Sequence, residues 1–138
     1  MSLMVGDWES LTDVLYMIAD APGMLAEMTA FLADFLVELL TPALGEVQFD
    51  FALFDEPIAS NTTPVVGPDD FRRFVQPLYR RLCDLLDTHG VEVRIFSSHG
   101  RVQELIPVAL EAGINALWIG NTGPAGLDYA ALGRKYGH

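Results

Sequence analysis

Three short apolar runs, each followed by polar or glycine-rich residues and then by a helical pattern, constrain the fold most. They are "VQFDFALF" (47–54), "VEVRIF" (91–96) and "INALWIG" (114–120). Runs of this length, rich in β-branched and aromatic residues, read as β-strands. The helix between the first two starts at Gly67-Pro68-Asp69-Asp70, since proline suits a first turn and acids suit the positive end of the dipole. Phe71, Phe74, Val75, Leu78, Leu82, Leu85 and Leu86 continue it to about Thr88, where His89-Gly90 ends it. Pro77 lies inside and predicts a kink. The next helix spans 101–112, disturbed at Pro107 and capped by Gly113. A last short helix covers 127–135. Ahead of the first strand, helical spacing covers 8–19. A second helix, capped by Asp20 with Pro22 in its first turn, runs to about Leu40, where Thr41-Pro42 is expected to stop it. Strands alternating with helices predict an α/β fold: a parallel sheet of βα units with right-handed crossovers and two extra N-terminal helices.

The chain has 138 residues, enough for one domain, 1–138. Its 51% hydrophobic content predicts either strands covered on both faces or a surface that packs on another chain. Glu27, Asp34 and Glu38 interrupt the longest apolar stretch, so no membrane span is expected. The first residues lack a basic flank and a small-residue cleavage site, so no signal peptide is expected. A net charge of −11 argues against nucleic acid, whose phosphates need clustered cations. Arg72, Arg73, Arg80 and Arg81 do cluster, and read as the solvated face of one helix. The lone Cys83 sits among leucines and reads as core. With no internal disulfide possible, a reducing, cytoplasmic setting is expected.

In parallel α/β architectures, functional groups gather at the carboxyl ends of strands. That rule selects Asp55 and Glu56 with Ser60 and Asn61 after the first strand, Ser97, Ser98 and His99 after the second, and Asn121 after the third. All would share one rim. A carboxylate there can act as acid or base, or position an amine or a metal. Serines at a strand–helix junction can cap the helix or join its N–H groups in holding an anion. His99 can carry a proton or bind a metal. Each also has a purely structural role open to it, as turn residue, cap or solvated side chain. There is no phosphate-binding loop, dinucleotide fingerprint or Ser-His-Asp signature.

Four pieces, in order, resemble the uroporphyrinogen decarboxylase superfamily, which includes corrinoid-linked methyltransferases: "FDEPIAS", "GPDDFRRFVQPLYRRL", "VEVRIFSSHGRVQELIPVALEAGINAL" and "GLDYAALGRKYG". The resemblance runs from about Trp8 to Gly137. It implies a (β/α)8 barrel with its site at the strand carboxyl ends. Three strands cannot close a barrel, so a partial barrel is expected, with open surfaces covered by further copies in a homo-oligomer. In the decarboxylase branch the resemblance implies cofactor-free removal of carboxylates from a tetrapyrrole's acetate arms, with Asp55, Glu56 and His99 as catalytic candidates. Ser60, Asn61, Ser97, Ser98 and Asn121 would be the substrate-binding candidates. In the methyltransferase branch a His-x-Cys pair helps hold zinc; here Ser97 and His99 occupy those positions. The third possibility is a non-catalytic binding or assembly module that keeps only the βα framework.

Overall fold

The computed structural model describes residues 8–120 and 122–137. Two helices come first, α1 (Trp8–Asp20) and α2 (Pro22–Glu46). Three strands follow: β1 (Phe51–Asp55), β2 (Val93–His99) and β3 (Ala116–Gly120). Between β1 and β2 lie α3 (Pro68–Asp70), a π-helical stretch (Phe71–Val75) and α4 (Gln76–Thr88). Between β2 and β3 lies α5 (Ile106–Glu111), and α6 (Thr122–Ala125) and α7 (Tyr129–Tyr136) close the chain. The fold is mixed α/β around a small open parallel sheet in the order β1-β2-β3.

Several expected boundaries move, each for a local reason. Helix α2 does not stop at Thr41-Pro42 but passes through Pro42 to Glu46. Proline removes one backbone donor. The Thr41 hydroxyl donates to the Val37 carbonyl at 2.6 Å, adding a hydrogen bond in that weakened turn. The first strand consequently begins at Phe51 rather than residue 47. The disturbance expected at Pro77 takes the form of a widened turn just ahead of it: the Gln76 N–H reaches back five residues to the Phe71 carbonyl. Helix α5 starts at Ile106, with Pro107 in its first turn, because proline suits a helix start better than an interior. Strand β2 extends to His99, three residues beyond its expected end. Asp128 caps α7, accepting from the N–H groups of Ala130 (2.8 Å) and Ala131 (3.2 Å).

Alternation along a strand sends successive side chains to opposite faces. One face of the sheet is covered. Phe54, Phe96 and Ile119 are buried there, and Tyr79 lies 4.6 Å from Phe54 and 5.6 Å from Phe71, centroid to centroid. Phe71 in turn meets Phe96 edge-on at 6.2 Å. Gln76 donates to the Val108 carbonyl, tying α4 to α5 on this face. The opposite face carries Phe51, Leu53, Val93 and Trp118, all exposed. The strands are therefore covered on one face, not on both. Cys83 is buried in the core, and burial pushes its thiol up to about 11, which keeps it protonated and unreactive. The arginine cluster is solvent-facing; Arg72 pairs with Asp69 at 3.0 Å three residues back, and Arg81 reaches Asp34 of α2 at 2.6 Å. Among the described residues no helix is long and apolar enough to cross a membrane.

Candidate functional site

The carboxyl ends of the three strands form one rim, stitched by main-chain bonds. The Glu56 N–H donates to the Ser97 carbonyl (2.9 Å), and the Gly100 N–H to the Gly120 carbonyl (3.0 Å). The Arg101 N–H donates to the Ser60 carbonyl at 2.8 Å. Gly100 has φ +79, and a Cβ there would fall on the Ser60 carbonyl, so only glycine lets the loops after β1 and β2 approach this closely.

Asp55 and Glu56 do not act as a pair, because the strand alternation separates them. Asp55 is exposed on the uncovered face, where the Ser97 hydroxyl donates to its Oδ1 at 2.8 Å. Glu56 turns to the helix-covered side and is 2% exposed. Its Oε1 accepts from the Tyr79 hydroxyl at 3.0 Å, and its main-chain carbonyl accepts from the Ser98 hydroxyl at 2.6 Å. Ser98 is buried in that role, so it binds the end of β1 rather than facing the rim's open side. Ser60 organises its own loop. Its Oγ accepts from the N–H groups of Thr62 and Thr63, each at 3.2 Å, and donates to the Thr63 carbonyl at 3.0 Å. Asn61 is exposed beside it. Asn121 lies outside the described residues.

The structure brings together Asp55, Ser97 and His99. Register places Asp55 beside Ser97 and Ser97 beside Trp118, so the three form a row across the uncovered face. His99, one step further toward the rim, is paired with Gly120. Its ring lies over that glycine: a Cβ at 120 would come within 2.6 Å of the imidazole Cδ2. Gly120 thus gives the imidazole a flat seat, and any larger residue would displace it. Two residues of the candidate site escaped the sequence reading. Trp118, 63% exposed, was legible only as part of an apolar run until its face was known. Tyr79 was not among the helix's apolar positions in the sequence, and nothing local signalled a carboxylate partner.

Among the described residues no three His, Cys, Asp or Glu side chains gather as a metal-binding group. A serine hydroxyl at position 97 and an imidazole at 99 do not reproduce a thiolate-containing zinc set. The chain matches no family model, no curated protein and no solved structure.

Proposed function

We propose that the chain is a uroporphyrinogen decarboxylase-like arc of a βα barrel that binds a tetrapyrrole on the uncovered face of its sheet, and that it works as a homo-oligomer. The observation that supports this reading is the row Asp55–Ser97–Trp118, with His99 beside it, at the carboxyl ends of adjacent parallel strands. Sequential strand order with the crossover helices on one face would suit an arc of a barrel, whose inner face carries the site at its upper end. Trp118 offers an exposed ring for a flat macrocycle to stack on. Asp55 offers a carboxylate to pyrrole N–H groups.

The chemistry these groups would serve needs no cofactor. A proton adds to a pyrrole ring; CO2 then leaves an acetate arm, and its bonding electrons form an exocyclic double bond. A second proton converts that carbon to a methyl group, and the ring proton is returned. Asp55 would stabilise the transient ring cation, and His99 would carry the protons. The charge of −11 repels polyanions. Tetrapyrroles with fewer carboxylates are therefore preferred, and added salt tightens binding by screening.

Titration with coproporphyrin, followed by porphyrin emission, tests the reading. Saturable one-to-one binding is expected, weakened about tenfold in Trp118→Ala, the equivalent of ~1.4 kcal/mol. Coproporphyrin should bind more tightly than uroporphyrin. Absence of saturable binding, or indifference to both the Trp118 and His99→Ala changes, would overturn it.

A further inference from the structure

The two outer strands of the sheet treat their free edges differently. The Gly100 N–H donates to the Gly120 carbonyl, so alternation along β3 turns the main-chain groups of Ile119 outward. There the Tyr129 hydroxyl accepts from the Ile119 N–H at 2.6 Å and donates to the Ile119 carbonyl at 3.1 Å, which plugs that edge. On β1 the Glu56 N–H donates to the Ser97 carbonyl, so Phe51, Leu53 and Asp55 turn their main-chain groups away from β2. Among the described residues nothing hydrogen-bonds to them there. The edge runs beside an apolar cleft of about 340 Å³, lined by Leu40, Leu44, Leu53 and Leu82. Unpaired main-chain groups in such surroundings are costly. Donors and acceptors alternate along the edge, the pattern that an added strand completes.

We propose that this edge pairs with the same edge of a second copy, antiparallel about a two-fold axis through Leu53; the pairing rests on the homo-oligomer of the proposed reading and gives it a specific contact. Three features select a second copy and this strand. First, Tyr129 occupies the edge of β3, so the incoming strand is β1 itself. Pairing β1 on β1 closes after one addition, whereas β1 on β3 would run on without limit. Second, the register is self-complementary. Leu53 faces Leu53 and Phe51 faces Asp55, so no like charges oppose, and about six main-chain hydrogen bonds form. Third, α2 offers an apolar flank on the same side. Ala30 and Ala33 face α4, which packs over β1 through Tyr79 and Phe54. At 3.6 residues per turn, Phe31, Phe35 and Leu39 leave α2 on the opposite flank, looking out past the free edge. They are 72%, 50% and 57% exposed. With Phe49 they leave on the order of 400 Å² of apolar side chain to cover, about half of what a specific interface buries on each partner. The pairing also sets Phe51 of the second copy next to Asp55 on the open face, adding an aromatic wall to the rim.

Light scattering and cross-linking of the full chain test the pairing in Val93→Lys, which removes association through the open face and leaves β1 untouched. A dimer is expected there. Adding Leu53→Cys should give a covalent dimer under mild oxidation, since opposed residues of antiparallel strands lie ~5.5 Å apart at Cα. Adding Trp118→Cys instead should not. Leu53→Pro removes an outward donor and spares the β1–β2 ladder, and Phe35→Glu charges the flank of α2. Each should raise the dimer dissociation constant about tenfold or more; Phe35→Glu, at a half-exposed helix position, carries the test should the proline change prevent folding. A monomeric Val93→Lys beside an oligomeric wild type would overturn the edge pairing and leave open-face association in place. So would a dimer indifferent to Phe35→Glu, or one that Trp118→Cys links as readily as Leu53→Cys. A monomeric wild type would overturn both.

Discussion

At the scale of single residues, adjacent side chains do opposite work. Asp55 reaches the open face and meets Ser97, while Glu56 turns inward to Tyr79. The difference of one position in a period of two decides which carboxylate is exposed for chemistry. A buried carboxylate holds the fold only while its donors remain. Tyr79→Phe removes the phenolic donor but keeps the ring between Phe54 and Phe71. It should cost about 1–3 kcal/mol, the range for leaving a buried polar group short of a partner. Urea denaturation at neutral pH measures this, and a change within experimental error would show that the bond contributes little. Ser97, Ser98 and His99 stood out in the sequence as polar residues at a strand end. Their division did not, because it depends on where β2 ends: Ser98 is buried on the covered side, Ser97 is buried against Asp55 on the other, and His99 is exposed.

At the scale of elements, the existence and order of the strands and main helices were legible, since hydrophobic period separates helix from strand. Breaks were less legible. Pro42 reads as a stop in any local rule, yet α2 continues because proline costs one hydrogen bond while Leu44, beyond it, still packs against the core. Pro77 reads as a kink, yet the chain widens one turn ahead of it and keeps Phe71, Phe74 and Val75 buried. Tertiary packing overrides the local rule in both places. Replacing Pro42 with Ala restores a backbone donor at a position that is already helical. It should stabilise the protein by about 1–3 kcal/mol, read from the shift in denaturation midpoint. A loss of stability would mean that proline at this position is needed to shape the end of α2.

At the scale of the whole molecule, the governing fact is asymmetry. One face of the sheet is filled by aromatic packing, while the other leaves Phe51, Leu53, Val93 and Trp118 in contact with water. Composition alone pointed to strands covered on both faces or to an associating surface; the sheet's one-sided covering removes the first. Two of the exposed residues, Phe51 and Val93, are paired at the amino end of the open face, away from the rim, and a patch of this kind favours self-association. Light scattering across a range of concentrations should show an oligomer that Val93→Lys dissociates, and a monomer at every concentration would remove the homo-oligomer from the proposal. The partial barrel was an expectation from resemblance. The chain folds into a parallel three-stranded sheet with Asp55, Ser97 and His99 toward its carboxyl end.

The claim on which the rest depends is that the open face, at its carboxyl end, is where a ligand sits. Nuclear magnetic resonance of the histidine side chains reads this directly, because His99 lies on the rim while His89, its ring nitrogen 2.9 Å from the Leu85 carbonyl, lies beyond the end of α4. Titration with coproporphyrin should shift the His99 resonances and leave those of His89 in place. Shifts at His89 with His99 unmoved would put the ligand elsewhere and contradict the account.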